Sequence, residues 1–288
     1  MILSFHPIIE GDRNIICAGR DPDKEDLAAI RSARAVILPQ GCRESLYRVA
    51  AQNCPFVFPD YESRFNYPGK LNQTRLFRKM GVPVPKSMLF EDLNRFSQTI
   101  PTLKPGYLPE FPFVFKFDWG GEGEFVYLVE SVEKLTSLLD LAAVYERSGQ
   151  QGFLIQELIP GKPRSLRVVV IHRKIISYWR ENSEGSFYAN TARGGFIDPE
   201  SDPEGRKAGE QMVAEFCRKT RINLAGFDLM GDGKAFDKPL LFLEINYFFG
   251  RKGLGGSENY YRVLAGEIRN WVSGLPDSES GNTIQSKP

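Results

Sequence analysis

The last apolar run of the chain, Leu240-Leu241-Phe242-Leu243-Glu244-Ile245-Asn246, carries an acid and an amide two positions apart. In a strand such positions share a face, so Glu244 and Asn246 project together while Leu243 and Ile245 point the other way. Upstream, Leu224-Ala225-Gly226-Phe227-Asp228-Leu229-Met230 reads as a partner strand, with Gly231-Asp232-Gly233 and Pro239 marking the turn region between them. An antiparallel hairpin centred near Phe236 sets Asp228 almost opposite Glu244. Directly opposed carboxylates destabilise a sheet. A hard divalent cation removes that conflict, because Asp, Glu and Asn oxygens are the donors that magnesium or manganese takes. Asp228, Glu244 and Asn246 are therefore candidate metal ligands, at a site suited to a nucleotide's phosphates.

A second hairpin has the opposite sign. Ser165-Leu166-Arg167-Val168-Val169-Val170-Ile171 and Ile175-Ile176-Ser177-Tyr178-Trp179-Arg180 flank His172-Arg173-Lys174 as the turn, which brings Arg167 close to Arg180 across the ladder. Two facing guanidinium groups repel unless an anion lies between them. Arg173 and Lys174 read as a solvated turn. Arg167, Arg180 and Arg193 neighbour apolar strand residues or the glycines Gly194-Gly195, and are candidate anion-binding groups. In Phe113-Val114-Phe115-Lys116-Phe117-Asp118, Lys116 lies on the face opposite the phenylalanines, and a buried lysine without an anion is costly. Gly120-Gly121-Glu122-Gly123 follows, a turn whose N–H groups can converge on phosphate oxygens. Read alone, this also describes an edge-strand lysine before an ordinary β-turn, and no G-x-x-x-x-G-K-[ST] is present. The strand Phe153-Leu154-Ile155-Gln156-Glu157-Leu158-Ile159 can present backbone groups to a flat base, or can simply end there.

These residues need elements to hold them. Short apolar runs at Asn14–Ala18, Ala35–Leu38 and Pro55–Phe58, with helical stretches at Asp26–Ser32 and Glu44–Gln52, predict a small open parallel α/β unit over 1–68. A helix from Lys70 to Met80 stops at Gly81-Val82-Pro83-Val84-Pro85. It opens a central unit, 69–150, containing a proline-rich connector from Pro101 to Pro112, the Lys116 strand and glycine loop, a strand near Phe125–Val129, and a helix from Val132 to about Tyr145 capped by Ser131. The remaining unit, 151–275, is mostly strands, with helices near Arg206–Thr220 and Tyr260–Val272. Residues 276–288 read as a disordered tail. The fold class is thus α/β, turning to α+β in the C-terminal half.

Composition narrows the chemistry. The 288 residues carry 37 Lys and Arg against 36 Asp and Glu, so no global field argues for nucleic acid or membrane. The four cysteines show no C-x-x-C spacing, and with two histidines a zinc site or a Ser-His-Asp triad is poorly supported. With no run approaching spanning length, the expectation is a soluble cytoplasmic protein with reduced thiols.

The order of the candidates carries more than any one of them. Lys70, Lys116 with "F-K-F-D-W-G-G-E-G", Gln156 and Glu157, Arg167, Arg180, "N-T-A-R-G-G" from Asn190, Asp228 and "E-I-N" at 244–246 together resemble an ATP-grasp ligase, of the RimK-like carboxylate–amine (thiol) ligase group, over about Tyr67 to Trp271. The resemblance implies an ATP-grasp fold behind the small N-terminal domain, with ATP between the central and C-terminal parts. It implies that Lys70 and Lys116 contact the α- and β-phosphates and that the loop Gly120, Gly121, Glu122, Gly123 closes over the triphosphate. Glu157 and the backbone of Leu158 and Ile159, beside Gln156, would hold adenine. Asn190, Asp228, Glu244 and Asn246 would surround Mg2+ (or Mn2+) and the phosphates, and Arg167, Arg180 or Arg193 would stabilise the transferring phosphoryl group or hold a carboxylate. The implied reaction phosphorylates a carboxylate and lets an amine displace phosphate, with small-molecule substrates or a peptide or protein acceptor. A nucleotide-sensing module and a phosphotransferase or carboxylase on the same fold are the alternatives. The chain departs from the pattern in three places. Ser165 stands where an acid often holds ribose, and Glu122 and Glu124 stand where serines are common. Tyr247-Phe248-Phe249-Gly250-Arg251-Lys252-Gly253 replaces small residues and proline; it shapes a pocket for an acidic substrate, or is core packing and a solvated turn.

Overall fold

The computed structural model describes the chain apart from residues 18, 103–107, 122, 160–163, 182–194, 232–238 and 277–288. Glu122, Asn190, Arg193 and nearly all of the expected tail lie outside the described residues. The chain begins with β1 (Ile2–Ser4), β2 (Arg13–Asn14), α1 (Lys24–Ser32), β3 (Ala35–Ile37), α2 (Glu44–Asn53) and β4 (Val57–Phe58). Its four strands are parallel, in the order β2-β1-β3-β4. Of the strand expected over Asn14–Ala18, residues 15–17 are not strand and Ala18 lies outside the described residues. The strand ladder stops at Asn14, and one of the two inner strands is Ile2–Ser4, whose two apolar residues at the chain start offer no period to read. Asp23 caps α1 in a capping box with Asp26, whose carboxylate is held by Arg20.

A short α3 (Glu62–Asn66) leads to α4 (Gly69–Met80), which stops at Gly81 in the left-handed conformation, as the Gly-Val-Pro-Val-Pro sequence requires. The chain continues through β5 (Ser87–Phe90), α5 (Leu93–Thr99), β6 (Phe113–Phe117), β7 (Val126–Val129), α6 (Val132–Arg147) and β8 (Phe153–Glu157). These strands make an antiparallel sheet in the order β5-β8-β6-β7. The division at 150/151 falls before β8, yet β8 pairs on both sides within this central sheet. One face is almost wholly aromatic: Phe90, Phe113, Phe115, Phe117 and Phe153 are buried against Leu138 and Ala142 of α6. Ser131 caps α6 by accepting the Lys134 N–H, as its sequence position predicts.

The last part comprises β9 (Arg164–Ile171), β10 (Lys174–Glu181), β11 (Phe196–Asp198), α7 (Pro203–Thr220), β12 (Leu224–Met230), β13 (Leu241–Asn246) and α8 (Gly256–Ser273). Its antiparallel sheet runs β11-β10-β9-β12-β13. On one face, Val213 and Phe216 of α7 meet Leu166, Val168, Phe227 and Phe242, and Phe77 of α4 joins the same cluster. On the other face, Tyr260, Leu264 and Ile268, one helical turn apart, cover Val169, Ile171 and Leu224. That second face is apolar only where α8 reaches it. Beyond α8 it becomes polar, and the cleft begins there. Among the described residues no helix is long and apolar enough to cross a membrane.

Helix α4 ties the two antiparallel sheets together. At its start the Leu71 N–H donates to Asp118 Oδ1 at 2.7 Å, just past the end of β6. Gly69 allows that approach, since a Cβ there would lie 2.4 Å from the Asp118 carboxylate. One turn on, Gln73 accepts the Ile245 N–H at 2.8 Å and donates to the Ile245 carbonyl at 3.0 Å, which satisfies the open edge of β13.

Phe216 is fully buried between Phe77, Phe227 and Phe242. Phe216→Ala should therefore destabilise the fold by about 3–5 kcal/mol through lost burial and a cavity. The shift of the urea midpoint at unchanged slope measures it.

Candidate functional site

Register assembles the site. Across four neighbouring strands of the C-terminal sheet, Glu244 pairs with Asp228, Asp228 with Arg167, and Arg167 with Tyr178. All four side chains share the face that α8 leaves uncovered. The acidic pair expected from the hairpin pattern is thus present, and a guanidinium is the next residue along the same row. A register shift between Asp228 and Leu229 turns Leu243 toward the cleft as well, so it does not point away as simple alternation predicts.

Arg167 and Arg180 are diagonal rather than opposed. Lys174 pairs with Ile171, so the turn is His172-Arg173 alone, with His172 at φ 51; Arg167 faces Tyr178 and Arg180 faces Ser165. The anion between the guanidinium groups is the chain's own Asp228. Its Oδ1 accepts from Arg167 Nε and, at 2.7 Å, from Arg180, while Oδ2 accepts from Arg167 Nη2 and from Asn246 Nδ2, both at 3.1 Å. Arg180 also donates to Ser165 Oγ at 2.9 Å. Burial alone would raise the Asp228 carboxyl, but Arg167 and Arg180 more than offset it and hold it at about 2. Both oxygens of Asp228 are therefore committed.

Glu244 is the opposite case. Its carboxylate makes no side-chain hydrogen bond or ion pair among the described residues. Burial raises its pKa, and Lys70 and Lys116 draw it back. The Asn246 carbonyl oxygen is likewise without a partner among the described residues. Lys116 donates to Gln156 Oε1 at 2.7 Å, and Gln156 in turn donates to Ser87 Oγ. Burial pushes Lys116 down to about 8, with Glu244 opposing and Lys70 adding to the shift. Lys70 emerges from the first turn of α4 and donates to the Trp119 and Gly120 carbonyls at 2.7 and 2.8 Å, which ties it to the root of the glycine loop. Gly120 and Gly123 both have positive φ, as a tight loop of backbone donors requires.

These groups line one cleft of about 490 Å3, a volume ordinary for a small-ligand site. Of the sequence candidates, Lys70, Lys116, Gly123, Gln156, Arg167, Arg180, Asp228, Glu244 and Asn246 line it. Gly120, Gly121, Glu157, Leu158 and Ile159 do not. The Glu157 carboxylate accepts the Lys86 N–H at 2.8 Å, fastening the strand end to the chain before β5. The backbone of Leu158 and Ile159 has no hydrogen-bond partner among the described residues. Sequence reasoning missed Thr74, Tyr178 and Met230 as lining residues. Tyr178 shares the face of Arg180 by simple alternation, so its position was readable; Thr74 follows Lys70 by one turn and was readable in the same way.

The donors fit a hard cation. Glu244 and the Asn246 carbonyl are free oxygen ligands beside two lysines suited to phosphate. Among the described residues no group of three or more His, Cys, Asp or Glu could hold a metal by itself. A magnesium ion here would take its remaining ligands from phosphate and water, and Asp228 joins only by giving up an arginine.

The model of the RimK-like ATP-grasp domain matches residues 68–271, and the chain belongs to that family. Family members are ATP-dependent ligases. A probable alpha-L-glutamate ligase of Haemophilus influenzae is 26% identical over 192 residues, which is 66% of this chain and 58% of that protein. The chain spans about half the length of the curated relatives it matches. Among solved structures, a RimK domain ATP-grasp protein of Sphaerobacter thermophilus superposes with a TM-score of 0.56 at 15% identity, covering 94% of this chain and 98% of that one. A D-alanine–D-alanine ligase of Bacillus anthracis, complexed with ATP, gives 0.57 at 16% identity, covering 91% and 84%. The shared fold is ATP-grasp.

The cluster makes an acid prediction. Because the folded pKa of Asp228 lies below its unfolded value near 3.8, its contribution is complete above pH 4 and is lost as pH falls toward 2. Asp228→Asn should flatten the fall of the urea midpoint between pH 4 and 2. It should also cost roughly 3–5 kcal/mol at pH 7, because it leaves two buried guanidinium charges without their anion.

Proposed function

We propose that this protein is an ATP-dependent ligase that activates a carboxylate as an acyl phosphate and joins it to an amine, releasing ADP and phosphate. The observation that carries the reading is the cleft's arrangement: an unpartnered Glu244 and Asn246 carbonyl face Lys70 and Lys116, with two arginines adjoining. Oxygen donors beside ammonium groups match a metal-bound polyphosphate and little else of similar size.

In this reading Lys70 and Lys116 hold the α- and β-phosphates as point charges. The turn Gly120–Gly123 covers the triphosphate, and the free backbone of Leu158 and Ile159 takes the adenine edge. Glu244 and Asn246 would hold Mg2+, which, when bound, neutralises charge on the β- and γ-oxygens. A substrate carboxylate oxygen attacks the γ-phosphorus and the bond to the β-phosphate oxygen breaks, leaving ADP. Arg167 and Arg180, fixed by Asp228, stabilise the equatorial oxygens as charge spreads over them. The amine then attacks the acyl carbon, phosphate leaves, and the amine proton passes to solvent. No side-chain nucleophile is needed; positioning and electrostatics carry the chemistry. Asn190 and Arg193 belong to the proposed phosphate-binding set through the family resemblance, as does Glu122 in the covering loop. Substrates are small carboxylates and amines, or a peptide end.

A magnesium-dependent ADP-release screen across amino acids and dicarboxylates, with the mass of any product, tests the activity. Glu244→Gln keeps the shape and removes the charge. It should weaken MgADP binding at least roughly tenfold, equivalent to about 1.4 kcal/mol, with little change in melting temperature. Wild-type turnover in that variant would refute the metal assignment. Lys116 supplies a pH signature. In the nucleotide-free protein it loses its proton above about 8, so binding a phosphate there must take a proton up. Affinity for MgADP should hold steady below pH 8 and then fall by about tenfold per pH unit as proton uptake becomes obligatory. In Lys116→Met, calorimetry over the same range should show weaker binding and no such slope.

A further inference from the structure

The cleft holds more positive charge than a nucleotide uses. Among its described lining residues, Lys70, Lys116, Arg167, Arg180, Arg251 and Lys252 face only Asp228 and Glu244 as acids. A magnesium-bound triphosphate offsets only part of that excess, because the metal cancels part of the phosphate charge. Four of the six cations are accounted for: Arg167 and Arg180 clasp Asp228, and Lys70 and Lys116 flank Glu244. Arg251 and Lys252 have no carboxylate partner among the described residues.

Lys252 is exposed at the mouth of the cleft, whereas Arg251 is held in place. The Arg251 guanidinium lies 4.7 Å from the Tyr260 ring centroid and 4.6 Å from that of Tyr261, and it donates to Ser257 Oγ at 3.3 Å. Held against two aromatic faces, it is a preoriented fork, the geometry that receives a carboxylate bidentately. Gln40 anchors the same segment to the N-terminal sheet, donating to the Tyr247 carbonyl at 2.7 Å and accepting from the Tyr260 hydroxyl at 3.3 Å. Gln40 lies just past the carboxyl end of β3. In the order β2-β1-β3-β4 the connections reverse direction between β1 and β3, and open parallel sheets bind ligands in the crevice outside the strand ends at such a point. Gln40, Phe248, Arg251 and Lys252 line a second, shallower depression there, and the last three also line the main cleft, so the two are continuous. Phe248 is 62% exposed and offers an apolar wall beside the two cations. Gly253 lets this segment lie against the Tyr178 ring, since a Cβ there would come within 2.1 Å of it.

We infer that Arg251 and Lys252 determine substrate specificity by binding a carboxylate that takes no part in the reaction, so that one substrate of the ligase is a small acid carrying a second, non-reacting carboxylate. This rests on the ligase reading for the word substrate, while the binding itself depends only on the pocket. Phe248 packs on the aliphatic body of that acid, and the reacting group extends toward Arg167 and Arg180.

The test is equilibrium binding to the full-length protein, with and without MgADP, of L-glutamate, L-aspartate and glutarate, each against its own amides. At least one acid should bind roughly tenfold or more tightly than its amide, and Arg251→Ala/Lys252→Ala should abolish that preference while the melting temperature and MgADP affinity report an intact fold. In the ADP-release assay the same variant should raise KM for the acid far more than it lowers kcat. The inference is overturned if no acid in the panel outbinds its amide, or if the double variant keeps the preference. Loss of MgADP binding in the wild type would sink the ligase reading instead, and the nucleotide-free titrations would still decide the role of Arg251 and Lys252.

Discussion

One row of side chains governs this protein: Glu244, Asp228 and Arg167, directly opposed on three adjacent strands. Two carboxylates side by side in a sheet repel, and a buried arginine without an anion is no more tolerable. Placing the acid pair next to the basic strand solves both problems with one residue. Asp228 is shared by Arg167, Arg180 and Asn246, which leaves Glu244 as the acid without a partner among the described residues. The sheet is stable with this asymmetry because Lys70 and Lys116 approach Glu244 from other elements. One carboxylate facing two lysines is thus what remains, among the described residues, once the internal charges have paired as far as they can.

That balance depends on α4. Bonded to Asp118 at its start and to the backbone of Ile245 one turn later, the helix sets the distance between the central and C-terminal sheets and delivers Lys70 into the space between them. The glycine loop begins directly after Asp118, and Lys70 holds two of its first carbonyls. The root of the loop, Lys70 and the strand that carries Glu244 are therefore tied into one connected frame. The Asp118 carboxylate, embedded in the phenylalanine run, is structural in this arrangement: it serves a helix end from a distant strand.

Much of the site was legible before any coordinates. The alternation in Leu240–Asn246 and Leu224–Met230 fixes which side chains share a face, and hairpin closure sets Asp228 against Glu244. The Lys116 face and the glycines after it followed from the same rule. The Arg167–Arg180 pairing was misjudged by a small register error, because a turn of two residues and one of three are equally compatible with His172-Arg173-Lys174. Leu243 was misjudged because a bulge breaks alternation without leaving a mark in composition. In the N-terminal sheet the error was larger. Ile2–Ser4 is one of its two inner strands, yet strands of two or three residues are too short to show a period.

The sequence by itself determined the local grammar outside the N-terminal sheet: the strands that carry the site, the faces of Glu244, Asp228 and Lys116, where α4 must stop, and the order of cations, glycines and acids that marks an ATP-grasp ligase. Those features depend on neighbours within a few residues, and φ/ψ preference and periodicity express them directly. Only the tertiary structure decided that the anion between Arg167 and Arg180 is Asp228, that Glu244 pairs with no cation among the described residues, that β8 belongs to the central sheet, and that Arg251 stacks on Tyr260 and Tyr261 beside Gln40. Each of these joins residues remote in the chain. Such pairings are chosen by the combined cost of burying charge and closing long loops, a balance that no short stretch of sequence contains.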